Sequence, residues 1–486
     1  MAVCIELRVR GRLHLRGLLA QSTLARNHPR LPKPTATRGA TRAIGRTKTF
    51  HPVSSGLYLF ATDKLSRRAF KLWASAKVET ALAEARWISD EDRLAPVVFP
   101  RRADSAADLM ALAQRKTGLR DFGQVGVEEA LDRLQYAYHA EANLNLFGRL
   151  ATRWDNLRLL KNLLILRDRE CENGAVLTRL IDRPIFVLGM PRSGTTFLHG
   201  LLAEDPDNQV LRCWQAIHPY PDHPAAGRGA GPDSVQRQFS FFNWLAPELR
   251  SLHPFDARTP QECTELTGHG FQSLRFDTTY NVPSYRRWLS QKGHLEPYRL
   301  HRRFLQHLQG EGTRRWVLKS PDHVFAMEAL RAVYPDARIV FAHRDPLKVL
   351  PSVARLTQVL RRPFTKRVDP LDVGRQIVRD WSLGAQRMVT AHGANLWPAD
   401  QVFHVRYKAL TADPAATVAS IYKHFDLEFT AAYRARLAAQ VSLKPDGGYG
   451  RNVYRFEDFG LDPRVERERY RDYMTCFDVE TEFAEA

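Results

Sequence analysis

The sequence predicts an α/β protein with three layers, in which helices cover both faces of a central, mainly parallel sheet, preceded by an α-helical extension. Two observations predict this fold class. Short runs of β-branched and aromatic residues alternate with helical patterns, an arrangement typical of parallel sheets with crossover helices. The first of these runs ends in a glycine-bounded polar loop that leads directly into an amphipathic pattern.

Composition divides the chain into three parts. Residues 1–64 are predicted to form a basic, disordered arm, because the first 50 residues contain eleven Lys and Arg against the single acid Glu6. Residues 65–180 carry apolar side chains at helical spacing and predict the helical extension. Residues 181–486 contain the strand candidates and predict the α/β domain.

The charge balance favours a protein that handles anionic ligands. The formal net charge is +19, and about half of that excess lies in the first 50 residues. A basic arm that binds nucleic acid or a membrane surface remains an alternative function, but the moderate excess elsewhere does not require nucleic acid. We therefore expect no nucleic-acid partner.

The cysteines and the apolar runs indicate a cytoplasmic protein. The five cysteines are scattered and lack metal-ligand spacing, which suggests a reducing compartment. No apolar run approaches the roughly 20 residues that cross a bilayer, so no transmembrane segment is expected. The N-terminus also lacks the apolar stretch of a secretory signal.

Four strand candidates contribute residues to one edge of the predicted sheet. They lie at 184–190, 316–319, 338–342 and 401–407, and helical patterns separate them, as at 322–334 and 346–360. Ligands bind at the carboxyl ends of the strands in such sheets. The residues that follow each strand are therefore the candidate site.

The loop after the first strand has the glycine spacing of a nucleotide-binding loop. Gly189 and Gly194 match the pattern G-x-x-x-x-G-K-[ST], but Thr195 stands at the lysine position and a cation comes earlier, at Arg192. That lysine contacts the outer phosphates in enzymes that transfer phosphoryl groups. The missing lysine therefore disfavours a nucleotide kinase or another phosphotransferase with such a loop, and we keep that activity only as an alternative.

The loop sequence P-R-S-G-T-T at 191–196 closely resembles the 5′-phosphosulfate loop of sulfotransferases that use 3′-phosphoadenosine-5′-phosphosulfate (PAPS). The resemblance implies a P-loop-like catalytic domain and in-line, metal-independent transfer of a sulfuryl group from PAPS to a hydroxyl or amine. The acceptor would be a small molecule, a glycan or a lipid, and the chain is left open to forming homo-oligomers.

The predicted helical extension resembles that of a bacterial branch of the family, and we expect it to serve as a docking or lid element. The resemblance implies PAPS contacts from five loop residues, namely Arg192, Ser193, Gly194, Thr195 and Thr196.

Two further strand ends offer anion ligands. Lys319 ends the second strand candidate and is expected to neutralise charge in the ligand crevice. Arg344 precedes a predicted helix and Ser352 lies about two turns along it, so both can converge on one phosphate. This pair resembles the 3′-phosphate site of the family.

Two additional PAPS ligands are implied by the resemblance. Tyr407 begins a segment similar to the Y-E-x-L…D-P segment that lies near the adenine, although Lys408 replaces the usual Glu. Arg451 lies in a late glycine-rich loop, and family members close the 3′-phosphate site with basic residues from such a loop.

The general base is harder to assign. Relatives often carry Trp-Glu after the loop helix, but this chain has Trp214 and Gln215, and a glutamine cannot take a proton. Our first choice is Glu262, in a region of aromatic residues and histidines at 211–300 that we interpret as the acceptor wall. The further candidates are His218 and His323; one branch of the family uses a histidine close behind the strand-end lysine.

Overall fold

The computed structural model describes residues 105–482, except 124–125, 228, 253–255, 311, 313 and 444–453. The arm predicted for residues 1–64 and the first part of the extension therefore lie outside the described residues, as does Arg451. None of the helices in the described part of the chain is long and apolar enough to cross a membrane.

A five-stranded, fully parallel sheet forms the centre of the protein, as the sequence predicts. In chain order its strands are β1 Ile185–Gly189, β2 Asn208–Val210, β3 Arg315–Lys319, β4 Arg338–His343 and β5 Val402–Arg406. Their spatial order is β2-β3-β1-β4-β5. The short edge strand β2 was not predicted. Because all strands are parallel, the loop after β1, Lys319, Arg344 and Tyr407 share one edge.

The α-helices in the described residues surround this sheet. Those before β3 are α1 Ala106–Thr117, α2 Val127–Ala140, α3 Leu146–Glu172, α4 Thr195–Leu202, α5 Cys213–Ile217, α6 Pro232–Leu245, α7 Leu249–Leu252, α8 Thr264–Thr267, α9 Arg275–Thr279, α10 Pro283–Lys292 and α11 Leu295–Leu308. Those after β3 are α12 Met327–Val333, α13 Pro346–Arg361, α14 Pro370–Gly393, α15 Tyr407–Ala412, α16 Pro414–His424, α17 Ala431–Leu443, α18 Pro463–Arg469 and α19 Arg471–Cys476.

The first three helices form the described part of the predicted extension. Helix α1 begins with a capping box between Ser105 and Asp108 and ends at Gly118, whose φ of 78° suits glycine. Helix α2 begins at Val127, after Gly126 in the left-handed conformation. Helix α3 is buried along most of its length and contributes a row of leucines to the main apolar cluster. The extension is thus packed into the core of the protein.

The alternation of side chains along β1 produces the three layers. Phe186 and Leu188 point into the larger apolar cluster, which also contains residues of α3 and α13. Ile185 and Val187 point the opposite way, into a second cluster with residues of α4 and α16. Successive side chains of a strand face opposite sides of the sheet, so both faces are covered.

The segment after β3 differs from the single helix predicted at 322–334. A 3-10 helix, Pro321–Phe325, comes first, capped by the Ser320 hydroxyl. Ala326 then leaves helical geometry, with φ −136°, before α12 begins. Helix α13 matches its prediction, and the Asp345 carboxylate caps its first turn.

Candidate active site

The loop between β1 and α4 folds tightly at residues with positive φ. Gly189 has φ 138°, and a Cβ there would lie 2.2 Å from the carbonyl oxygen of Ala342 on β4, so only glycine fits. Arg192 adopts φ 64° and Gly194 φ 90°, directly before α4 begins at Thr195. The loop therefore lies in front of a helix N-terminus, where backbone amides and the helix dipole favour an anion.

Arg192 links this loop to α13. Its Nε donates to the Ser352 hydroxyl at 3.2 Å, and its Nη1 donates to the carbonyl oxygen of Leu252 at 2.8 Å. Its own carbonyl oxygen accepts a hydrogen bond of 3.0 Å from Nη1 of Arg344. The structure thus brings Arg192, Ser352 and Arg344 into one hydrogen-bonded cluster, although the sequence suggests two separate phosphate sites for them.

The hydroxyl residues of the loop divide into two kinds. The buried Ser193 donates its hydroxyl hydrogen to the carbonyl oxygen of Met190 at 2.6 Å, which fixes the shape of the loop. Thr195 is buried as well. Thr196 is exposed on the first turn of α4, and its hydroxyl accepts a hydrogen bond from Lys319 at 3.2 Å. Thr196 therefore joins the loop to the end of β3.

Tyr407 lies between the loop and Arg344. The guanidinium carbon of Arg344 is 3.7 Å from the centre of the Tyr407 ring, a close cation–π contact. A Cβ added to Gly194 would lie 3.1 Å from the same ring. The ring thus holds Arg344 in place and also bounds the loop between β1 and α4, residues 189–194, which we call the phosphate loop.

Lys319 and Glu262 form an ion pair at the end of β3. The Lys319 ammonium, which is 2% exposed, donates to Oε1 of Glu262 at 2.6 Å. The neighbouring backbone explains the pairing, because the amide of Cys263 donates to the carbonyl oxygen of Lys319 at 3.0 Å. A cation and a carboxylate, of which the carboxylate is partly accessible, are thereby held beside the phosphate loop.

The two candidate histidines lie in different surroundings. His323 is 2% exposed, with Nδ1 hydrogen-bonded to the Tyr298 hydroxyl and its ring edge-on to Phe186. Burial holds its pKa well below the usual range, so the imidazole is neutral. His218 lies at the end of α5, where burial and then the charges of Arg158 and Lys161 lower its pKa to about 4. A lowered pKa makes an imidazole a weaker proton acceptor, so Glu262 stays our first choice for the base.

A comparison with protein families identifies the family of this chain. The model of the sulfotransferase family matches residues 184–431, which is just over half of the chain and includes every strand of the sheet. The chain belongs to the sulfotransferase family. It is therefore an enzyme that transfers sulfuryl groups, and the phosphate loop, Lys319 and Arg344 lie within the matched region.

Solved and curated sulfotransferases are similar over most of their length. Sulfotransferase STF1 from Mycobacterium tuberculosis H37Rv is 32% identical, covering 76% of this chain and 99% of its own, with a TM-score of 0.66. STF9 from Mycobacterium avium is 27% identical, covering 79% and 100%, with a TM-score of 0.69. The omega-hydroxy-beta-dihydromenaquinone-9 sulfotransferase Stf3 of Mycobacterium bovis is 25% identical over 297 residues, which is 57% of this chain and 71% of Stf3.

Asp322 of this sulfotransferase is a further candidate site residue, which the sequence motifs did not single out. This carboxyl belongs to the 3-10 helix after Lys319 and lines a narrow cleft with Cys263 and Ser320. Burial, and then the negative charge of Glu262, raise its pKa to about 7. Its position three residues after the strand-end lysine was visible in the sequence, but its partly buried place in this cleft was not.

A cavity of about 710 Å³ continues from this cleft, since the two share Leu274, His294 and Ala326. Apolar side chains line much of it, and four arginines reach into its wall, namely Arg286, Arg287, Arg379 and Arg387. Several aromatic residues of the predicted acceptor wall at 211–300 are instead part of the apolar core, among them Phe241, Tyr280 and Tyr285. The wall prediction therefore included packing residues.

A carboxylate near the end of the chain, which was not predicted, binds Arg344. The carboxylate of Glu482 accepts hydrogen bonds from Nε and Nη2 of Arg344, each at 3.1 Å. The backbone amide of Glu482 also donates to Oδ2 of Asp345 at 2.7 Å. Glu482 lies far from Arg344 along the chain, so no local pattern in the sequence could link them.

Proposed function

We propose that this sulfotransferase takes its sulfuryl group from PAPS and transfers it to a hydroxyl group of a largely apolar small molecule. The observation that supports this donor best is the hydrogen-bonded cluster of Arg192, Arg344 and Ser352. It joins the phosphate loop to the residues expected at the 3′-phosphate. A nucleotide with phosphate groups on both sides of its ribose can contact both halves of such a cluster.

Each predicted ligand has a role in this proposal. The loop amides, Arg192 and Thr196 hold the 5′-phosphosulfate at the N-terminus of α4. Arg344 binds the 3′-phosphate through its guanidinium fork, with the Ser352 hydroxyl beside it. Tyr407 keeps the role near the adenine that the family resemblance implies. Arg451, which lies outside the described residues, remains a proposed ligand of the 3′-phosphate.

The reaction would use Lys319 and Glu262 without a metal. The acceptor oxygen forms a bond to sulfur while the bond between sulfur and the 5′-phosphate oxygen breaks. Glu262 takes the hydroxyl proton, and the Lys319 ammonium stabilises the negative charge that develops on the leaving oxygen. In-line geometry requires the acceptor and the leaving phosphate on opposite sides of the sulfur.

The ion pair itself suggests how the base is activated. In the structure the Glu262 carboxylate accepts a hydrogen bond from Lys319 at 2.6 Å, which weakens it as a proton acceptor. When the ammonium turns toward the leaving oxygen, Glu262 loses this partner and becomes a stronger base. The same movement would therefore place the cation and activate the carboxylate.

An apolar, hydroxylated acceptor is favoured by two observations. The relative Stf3 is named for a hydroxylated dihydromenaquinone, which is a lipid-like molecule. In this chain the cavity beside Asp322 has an apolar wall with arginines, of which Arg286, Arg379 and Arg387 pair with carboxylates, and this suits an apolar body that carries a polar group. The four free thiols of the described residues fit a reducing compartment, so we place the reaction in the cytoplasm.

A labelled-donor assay tests this function. The enzyme is incubated with PAPS labelled in the sulfate and with an omega-hydroxylated dihydromenaquinone, its analogue without the hydroxyl, or a total lipid extract. We expect label in a lipid product from the hydroxylated probe or from the extract, and none from the analogue. The Lys319→Met variant is the matched inactive control. If neither the hydroxylated probe nor any component of the lipid extract acquires label, the proposal is contradicted.

A further inference from the structure

An acidic segment runs along the basic edge of the candidate site. We call residues 478–482 the acidic tail. Asp478 pairs with Arg406 at 2.8 Å, and Glu480 pairs with Lys408. Glu482 pairs with Arg344 at 3.1 Å. Asp478, Glu480 and Glu482 thus each place a carboxylate on a base at or just after the end of β4 or β5, and residues 479–482 lie in neither a helix nor a strand.

The tip of the tail makes the strongest of these contacts. Glu482 contacts two nitrogens of Arg344, and its side chain and that of Arg344 are 15% and 19% exposed. The other two pairs are much more exposed, so water and salt weaken them. The Glu482 amide is also held by Asp345, the cap of α13. The contacts of Glu482 therefore contribute most to holding the tail against the site.

Glu482 occupies the part of Arg344 that an anion would use. One face of the guanidinium lies on Tyr407, and Nη1 donates to the carbonyl oxygen of Arg192. The remaining edge, formed by Nε and Nη2, is bound by the Glu482 carboxylate. Carboxylates and phosphates bind an arginine through the same two-pronged geometry, so one excludes the other at a single edge.

We propose that the acidic tail is an autoinhibitory strap, whose Glu482 carboxylate occupies the 3′-phosphate subsite and must leave before the nucleotide binds. Because Arg344 is a phosphate ligand only under the proposed function, the strap depends on that function. The nucleotide and the tail then compete for Arg344. The apparent affinity for the nucleotide is the intrinsic affinity multiplied by the fraction of molecules in which the strap is open, so a closed strap weakens binding.

The root of the tail allows its tip to move. Phe477 is buried and stacks on His343 at 4.3 Å between ring centres, and the amide of Val479 donates to the carbonyl oxygen of Met474. These contacts lie outside the three ion pairs. Residues 480–482 can therefore leave Arg344 while Phe477 and Val479 remain packed, and α19 need not unfold.

Calorimetric titration of the full-length protein with adenosine 3′,5′-bisphosphate tests the strap. The variants are Glu482→Gln, which keeps the size of the side chain, and a chain that ends at Val479. Glu172→Gln, which breaks the pair with Arg169 on α3, is the control. We expect both tail variants to bind the bisphosphate roughly tenfold more tightly than the wild type, with the control unchanged. Adenosine 5′-monophosphate, which lacks the 3′-phosphate, should bind all four proteins equally.

Unchanged or weaker bisphosphate binding in both tail variants would overturn the strap. Arg344→Ala separates this outcome from a failure of the proposed function. If Arg344→Ala weakens bisphosphate binding but the tail variants do not strengthen it, the phosphate site stands and the strap is wrong. If Arg344→Ala leaves bisphosphate binding unchanged, the phosphate site and the strap both fail. Thermal melts identify any variant that has lost its fold, and the second tail variant then decides.

Discussion

The ammonium of Lys319 lies 2.6 Å from the carboxylate of Glu262, beside the loop that holds the phosphosulfate in our proposal. One residue ends strand β3, and the other precedes a short helix in a region without strands. The hydrogen bond from the Cys263 amide to the Lys319 carbonyl oxygen keeps them together. In our proposal this pair supplies the leaving-group cation and the proton acceptor, and a substitution that replaces one carboxylate oxygen tests it.

Glu262→Gln should lower kcat by roughly 10² to 10⁴ with little effect on PAPS binding, because the amide cannot accept the proton. The amide oxygen can still accept the hydrogen bond from Lys319, so the cation stays in place. Steady-state kinetics with labelled PAPS measure the change. Asp322→Asn is the matched comparison, since Asp322 lines the neighbouring cleft. If Asp322→Asn loses the activity and Glu262→Gln keeps it, Asp322 is the base instead.

Asp322 should make stability depend on pH. Its pKa is raised from 3.8 to about 7, so the folded protein favours the neutral carboxyl. The stability that this neutral form contributes is fully present below pH 4 and is lost as the pH rises through 7. Asparagine does not titrate, so Asp322→Asn should gain melting temperature relative to the wild type between pH 5 and pH 8. Thermal unfolding followed by circular dichroism measures this, and a difference that stays constant with pH would exclude the raised pKa.

Gly189→Ala should destabilise the protein, because its Cβ would meet the carbonyl oxygen of Ala342 and φ 138° disfavours side chains. Crowding and backbone strain together cost roughly 3 kcal/mol or more. The control is Gly200→Ala on α4, where a Cβ meets no atom within 4 Å. That change should stabilise the helix by about 1 kcal/mol. Urea unfolding gives both values, and equal effects at the two glycines would contradict the geometry of the loop.

Local patterns in the sequence were sufficient to predict the centre of the fold. The strands at 184–190 and 338–342, the loop between Gly189 and Gly194 and the helix after Asp345 depend on neighbouring residues. Their glycines, caps and apolar runs are therefore readable without the structure. The strand ends then had to meet, because parallel strands end at one edge.

Other features depend on contacts between distant segments. Asp322 was visible beside Lys319, but its raised pKa results from burial and from Glu262, which belongs to another part of the chain. Glu482 reaches Arg344 only after the C-terminal helices are in place. The strand β2 has three residues, too few for a periodic pattern. Sequence patterns carry no information about such long-range packing.

Adenosine 3′,5′-bisphosphate and adenosine 5′-monophosphate, titrated in parallel into the wild type and Arg344→Ala, test the central claim most directly, which is that two linked phosphate subsites hold the donor. We predict that the wild type prefers the bisphosphate and that Arg344→Ala loses most of this preference while it still binds the monophosphate. Arg169→Ala, which removes a partly exposed arginine of α3 that pairs with Glu172, should keep the preference. If Arg344→Ala keeps the same preference for the bisphosphate as the wild type, the assignment of Arg344 to the 3′-phosphate is contradicted.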